Sequence, residues 1–271
     1  MSEFALPRVT IPVILRCNLK CKYCINELQY FETKEDLTLE QFKKDLEMFF
    51  QIVDRVGKFE LTGGEPFLRR DLEDFVRESV KYKDQFKWIR LDTNGTIPVR
   101  QELIDEIKKY GDLVEVFVSN YGEISRKAEE NDRILTENNV NHQLRKYYGE
   151  DAYFGGWIDN GKVFDRKRSP EETEKVYHNC AVYKELGGCW LLLNGKLHLC
   201  ARCLQGTQHG AIPSVKNVDY LDIHDPSLSI EEKREIIRNM LECKAITACA
   251  YCDGSLGTDD PNKRVTPAEQ L

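Results

Sequence analysis

Apolar positions in the first half of the chain alternate between two periods. Residues 10–15 form a short β-branched run that predicts a strand. Across residues 38–53, Leu39, Phe42, Leu46, Phe49, Phe50 and Val53 then recur at helical spacing. The alternation continues with strands at 59–62, 88–92, 113–119 and 141–147 and helices at 72–82, 100–110 and 124–138. Strand followed by helix, five or six times over, implies parallel strands with right-handed crossovers, so an α/β barrel or an open doubly wound sheet. Both place their chemistry in the loops after the strands. Those loops hold Cys17, Gly63-Gly64-Glu65-Pro66, Asp92-Thr93-Asn94-Gly95 and Ser119-Asn120, which should converge on one face.

The pattern changes after residue 150. Residues 150–174 are polar and read as a crossover, with one more strand near 162–164. Two apolar runs around Asn194-Gly195 predict a hairpin, and a helix spans 229–241 behind a start signal at Ser229. The expected divisions are an α/β core over 1–150, a crossover with final core elements over 151–179, a cysteine-rich unit over 180–258 and a flexible tail over 259–271.

A chain of 271 residues can bury a full core without disulfide staples. The 39 basic and 46 acidic residues leave a net charge of −7, which gives no attraction to nucleic acid. The charged stretches at 43–47 and 231–238 lie within helical spacing and read as solvated faces. Residues 1–16 lack a signal-peptide pattern, and no run reaches the ~18 apolar residues of a membrane span. A cytoplasmic protein is expected. There, ten cysteines read as thiols, metal ligands or redox groups rather than disulfides.

Cys17-Asn-Leu-Lys-Cys21-Lys-Tyr-Cys24 places three cysteines after the first strand. Three thiolates on a [4Fe–4S] cubane leave one iron open to a substrate or cofactor. The spacing alone also permits a zinc site that borrows a fourth ligand, or coincidence. With Tyr23 before the last cysteine and Gly63-Gly64-Glu65-Pro66 after the second strand, the sequence resembles the radical S-adenosylmethionine (SAM) superfamily.

That resemblance implies a partial (β/α)6 TIM-like barrel over residues 8–150. It also implies a [4Fe–4S] cluster on Cys17, Cys21 and Cys24 whose open iron binds the amino and carboxylate groups of S-adenosylmethionine. Gly63 and Gly64 would let the backbone approach the ligand, within the Gly63–Pro66 motif that includes Glu65, whose carboxylate braces the loop. Tyr23 would meet the adenine. Thr93, Asn94, Ser119 and Asn120 suit ribose hydroxyls, and Arg145 suits the methionyl carboxylate. The Asp92–Gly95 stretch would also serve as a plain turn. The implied chemistry is reductive cleavage to a 5′-deoxyadenosyl radical that abstracts a substrate hydrogen, fed by a flavodoxin- or ferredoxin-type electron donor.

Cys180, Cys189, Cys200, Cys203, Cys243, Cys249 and Cys252 all fall in the last third. Alone, the pairs Cys200/Cys203 and Cys249/Cys252 fit a zinc ribbon. Beside the first motif, the region resembles the auxiliary-cluster extensions called SPASM and twitch domains. Cys180, the Gly195-x4-Cys200 hairpin and the later Cys249/Cys252 imply one auxiliary [4Fe–4S] cluster. A full SPASM domain needs further cysteines after Cys252, and none follows. Of the three unassigned cysteines, Cys189 and Cys243 read as core residues and Cys203 as the candidate catalytic hydrogen donor at the substrate site, with the alternative that one of the three replaces one of the four ligands.

Four protein thiolates close the auxiliary cluster and favour electron transfer. The expected activity is therefore a two-electron oxidation (dehydrogenation) of a polar small molecule, such as a sugar, a cyclitol or a nucleotide-linked sugar. The first strand starts about ten residues in, so no leader-binding domain is expected ahead of it. Three alternatives stand beside this: a peptide- or protein-modifying radical enzyme, a radical epimerase using a cysteine hydrogen donor, and a non-catalytic zinc or iron–sulfur module. The five histidines are scattered and name no substrate base.

Overall fold

Strand β1 (Ala5–Ile14) runs through the middle of an eight-stranded open sheet ordered β5-β4-β3-β2-β1-β6-β7-β8. The computed structural model describes residues 3–28, 35–255 and 263–271. On one side of β1 lie β2 (Arg55–Gly63), β3 (Phe86–Thr93), β4 (Val114–Asn120) and β5 (His142–Lys146), all parallel. They are joined by α1 (Leu39–Ile52), α2 (Leu72–Val80), α3 (Gln101–Ile107) and α4 (Ala128–Glu137). This is the predicted barrel architecture, left open.

Alternation along the strands gives the sheet two different faces. Val9, Ile11 and Val13 of β1, Phe59 and Leu61 of β2, and Ile89 and Leu91 of β3 are completely or almost completely buried, within the same core as Phe42, Phe49 and Phe75 of α1 and α2. The intervening positions carry Arg8, Thr10, Lys58, Glu60, Arg90 and Asp92, a charged inner face unlike a simple core. α1 starts where Thr38 caps it, its hydroxyl accepting from the Gln41 amide at 3.1 Å.

The hairpin of β6 (Trp190–Leu193) and β7 (Lys196–His198) forms around Asn194 and Gly195, both at positive φ. It is not set apart from the core. β6 pairs parallel with β1 (Val9 opposite Trp190, Thr10 opposite Leu191), and β8 (Tyr220–Asp222) extends the sheet beyond β7. The Gly195 amide donates to Asp45 of α1 at 3.1 Å, tying the hairpin tip to the helical layer.

α5 (Pro170–Asn179), α6 (Ala181–Lys184), α7 (Ala201–Gln208) and α8 (Ile230–Glu242) complete the C-terminal third. Ser229 and Glu232 form a reciprocal cap on α8, where the sequence placed the helix start.

Several expectations are corrected. Residues 162–164 form no strand, because Gly161 turns at φ +73° and its amide bonds back to Asp159 at 2.8 Å. Residues 124–127 precede α4 rather than belonging to it, because Gly122 at φ +71° forces a separate turn. Residues 259–262 of the expected flexible tail, and the 258/259 boundary before it, lie outside the described residues. Residues 263–271 are anchored: Lys22 donates to the Glu269 carbonyl at 2.7 Å and Leu271 to the Lys20 carbonyl at 3.0 Å. Among the described residues no helix is long and apolar enough to cross a membrane.

Candidate functional site

The loop after β1 curls so that its three sulfurs meet hydrogen-bond donors. Cys17 Sγ accepts from the Leu19 amide at 3.4 Å and from Asn94 Nδ2 at 3.8 Å. Cys21 Sγ accepts from Gln270 Nε2 at 3.4 Å. The amides of Asn26, Glu27 and Leu28 face Cys24. Burial pushes the Cys17 thiol up to about 11 and Cys21 up to about 12, and it raises Cys24 as well. Donors aimed at sulfur favour thiolate, and a cationic metal group would supply the charge that makes ligation possible. The donor set therefore fits an iron–sulfur cluster. Among the described residues no three His, Cys, Asp or Glu side chains close into a shell for a single metal ion.

Gly63-Gly64-Glu65-Pro66 lies directly against this loop. The Gly64 amide donates to Ile14 O at 2.8 Å, the Glu65 amide to Arg16 O at 3.0 Å, and Asn26 Nδ2 to Gly63 O at 2.7 Å. A Cβ on Gly64 would come within 2.0 Å of Arg16 O, and one on Gly63 within 1.9 Å of Ile14 O. Both glycines were expected to admit a ligand. Here they admit the backbone of β1 and of the cysteine loop, and the Gly63 carbonyl is already engaged. Glu65 is fully buried; its carboxylate accepts from the Phe67 amide at 2.9 Å, Thr93 Oγ1 at 2.8 Å and the Asn94 amide at 2.7 Å, which locks the end of β2 to the end of β3. Burial raises it to about 7. Pro66 opens the short turn Pro66–Leu68 that follows.

The other expected ligand residues divide. Asn94 reaches Cys17 and also donates to Asn18 Oδ1 at 3.1 Å. Tyr23 lines a cavity of about 200 Å³ with Cys24, Glu27 and residues 158–163. Thr93 is occupied by Glu65, and Asn120 by Glu129 and the Gly122 amide, so both act within the scaffold. Ser119 meets the hydroxyl of Tyr121. Arg145 is not at the cysteine loop: it stacks over Tyr153 at 4.4 Å on the inner face of the sheet. Tyr121 escaped the sequence reading although it directly follows Ser119-Asn120. It lies near Cys21 and Cys24 and packs against Tyr147 at 5.2 Å and Trp157 at 5.5 Å.

The later cysteines gather from three segments. Cys180 Sγ accepts from the Ser255 amide at 3.4 Å, Cys200 from the Cys203 amide at 3.4 Å and Cys252 from the Gly254 amide at 3.3 Å. Electrostatically, Cys203, Cys249 and Cys180 act on Cys200, Cys252, Cys180 and Cys243 on Cys249, and Cys180 on Cys252, so the four sulfurs share one neighbourhood with Cys203 and Cys243 at its edge. Arg168 holds the segment by donating to the carbonyls of Cys252 at 2.6 Å and Cys249 at 3.2 Å. Arg202 hydrogen-bonds the Cys252 sulfur and pairs with Glu27 beside the first cysteine loop, linking the two groups.

Cys203 corrects an expectation. It is fully buried in α7, its thiol donating to the Asp219 carbonyl at 3.4 Å and facing His198 at 3.5 Å, so it lies in the core rather than at a substrate surface. Cys243 bonds the Met240 carbonyl at 3.2 Å. Cys189 lies close to Arg8 and Glu60.

Comparison with known proteins bears on this arrangement. The radical SAM superfamily pattern matches residues 11–141. A GTP 3',8-cyclase of Erythrobacter litoralis (strain HTCC2594) is 41% identical over 83 residues, covering 30% of this chain and 24% of that protein. The antilisterial bacteriocin subtilosin biosynthesis protein AlbA of Bacillus subtilis (strain 168) is 34% identical over 119 residues, covering 44% and 25%. The matched stretch thus spans about a quarter of each of these relatives. The fold is shared with BtrN in complex with AdoMet and 2-DOIA (TM-score 0.56, 12% identity, 100% of this chain and 98% of that one). It is also shared with anSMEcpe with bound AdoMet (TM-score 0.51, 16% identity, 93% and 88%).

Proposed function

Residues 11–141 are a radical SAM domain, and from that premise we propose that the chain is a radical SAM oxidoreductase that dehydrogenates a polar small molecule of sugar or cyclitol type. The observation that carries the reading is the pair of cysteine groups: three thiols on one loop braced by Gly63–Pro66, and four thiols in one neighbourhood beyond them. When bound, a three-thiolate cubane with S-adenosylmethionine would supply hydrogen-abstracting radical chemistry, and a second, fully ligated cubane would supply a one-electron acceptor, which together balance a two-electron dehydrogenation with release of a proton.

The residues of the chain hold and shield these groups. Cys17, Cys21 and Cys24 are the ligands of the first, with Leu19, Asn94 and Gln270 donating to sulfur. Glu65 fixes the positions of Gly64 and Asn94 around them. Tyr121, Tyr147 and Trp157 pack together beside Cys21 and Cys24 and keep water from that side. Cys180, Cys200, Cys249 and Cys252 are the ligands of the second, fully ligated group. A flavodoxin- or ferredoxin-type protein would supply the reducing electron.

A second reading, a peptide substrate, is supported by the similarity to AlbA, a bacteriocin biosynthesis protein. Anaerobically reconstituted chain, reduced in the presence of S-adenosylmethionine, tests both. Formation of 5′-deoxyadenosine that acquires deuterium from a carbon-deuterated cyclitol or sugar supports the first reading. Deuterium acquired only from peptides supports the second. Absence of 5′-deoxyadenosine, or its undiminished formation by a Cys24→Ala variant, overturns both.

A further inference from the structure

Away from the cysteine loop, the inner face of the sheet bounds a cavity of about 480 Å³. One end reaches Tyr147, which packs against Tyr121 beside Cys21 and Cys24. The other reaches Ser255, whose amide bonds to Cys180 Sγ. The cavity therefore runs between the two cysteine groups.

Its walls are cationic in a chain whose net charge is −7. Arg8, Lys58, Arg90 and Arg145 line it, against Glu60 and, at its exposed rim, Glu185. Glu60 serves two cations at once, Arg8 at 2.9 Å and Lys58 at 2.5 Å, so one positive charge there is left over. Arg90 is offset by Asp92 at 2.9 Å. Arg145 has only the Tyr153 ring, with no ion pair among the described residues. Arg8 Nε is buried without a hydrogen-bond partner. A purely structural network would balance its charges and satisfy its donors, because unpaired buried charge is costly. A lining that stays net positive with Glu60, Asp92 and the rim carboxylate of Glu185 all counted, an arginine without an ion pair and an unused guanidinium donor facing one cavity are the signature of a missing anion.

We propose that this cavity is the substrate subsite and that it recognises an anionic group, phosphoryl or carboxylate, on the substrate, with Arg145 and the Arg8–Lys58 pair as its donors. Phe117, Tyr147 and Tyr153 supply the apolar wall for the rest of the molecule. The assignment rests on the radical SAM reading for its role in catalysis, while the anion recognition stands on the cavity alone.

The test is calorimetric titration of the reconstituted full chain with inorganic pyrophosphate and with malonate, which separate phosphoryl from carboxylate recognition. At least one should bind, and Arg145→Gln should weaken that binding by about tenfold or more, with Arg145→Lys retaining part of it. Glu60→Gln should tighten it, a change of opposite sign that misfolding does not produce. The proposal is overturned if neither anion binds, or if their affinity is the same in Arg145→Gln and Arg8→Gln as in the parent. Formation of 5′-deoxyadenosine, measured on the same samples without substrate, reports separately on the radical SAM reading.

Discussion

Cys17, Cys21 and Cys24 occupy one loop of eight residues, whereas Cys180, Cys200, Cys249 and Cys252 are brought together from segments up to 72 residues apart. The supporting donors, by contrast, combine local and distant groups at both sites. In the first group the amides of Leu19, Asn26, Glu27 and Leu28 are local, while Asn94 after β3 and Gln270 near the C-terminus come from afar. In the second, the amides of Cys203 and Gly254 lie within three residues of the sulfurs they serve, while the Ser255 amide and Arg202 come from distant segments. A compact motif thus still draws on distant parts of the fold for part of its electrostatics, and a dispersed one depends on the fold for its assembly. Changes at the first site should therefore act through its neighbours and spare the second.

The largest separation of the two groups should come from Gly64→Ala. The added methyl would meet Arg16 O at 2.0 Å and Cys17 Cβ at 2.9 Å, and backbone atoms cannot yield as a flexible side chain does. Loss of the first group's iron and of 5′-deoxyadenosine formation is expected, with destabilisation on the order of 2 kcal/mol or more. Iron that disappears equally from both groups would break the comparison.

Next in size is Glu65. Its folded value of about 7 lies above the ordinary 4.5, so the stability it contributes is complete below about 4.5 and is lost as pH rises to about 7. Glu65→Gln should be less stable by roughly 1–3 kcal/mol at pH 5, from lost hydrogen bonding, and so unfold at a lower temperature. The gap should narrow towards pH 8, because the variant lacks this titration. Thermal melts across that range check it, and a gap that widens with pH would contradict the burial argument.

Gln270→Ala is the mildest change. It removes one donor to Cys21 Sγ, worth about 0.5–1.5 kcal/mol, and should lower the reduction potential of the first cluster while leaving the second untouched. Redox titration followed by electron paramagnetic resonance separates the two.

The same contrast explains what the sequence disclosed. Local signals were sufficient for α1, for the Asn194-Gly195 hairpin, for the Ser229 cap and for the loops that meet at the strand ends. The partner of β6 was not local: Trp190–Leu193 is buried along its whole length, as a strand inside a sheet must be, but nothing in the segment names β1 as its neighbour. α5 carried a readable start, Ser169-Pro170 with Glu172 closing a capping box, within a stretch whose polarity suggested only a crossover. The glycines of Gly63-Gly64 were identified as necessary, but the atoms they make room for belong to β1 and to the start of the cysteine loop. Anchoring of residues 263–271 depends on carbonyls of Lys20 and side chains of the first loop, contacts no tail sequence can reveal.

Two separate iron–sulfur groups are the central claim, and metal and sulfide content after anaerobic reconstitution tests it most directly. The parent chain should hold about eight irons with matching sulfide, and the Cys249→Ala/Cys252→Ala variant about four, while still forming 5′-deoxyadenosine. Zinc without sulfide in the parent, or a double variant that keeps its full iron, would contradict it.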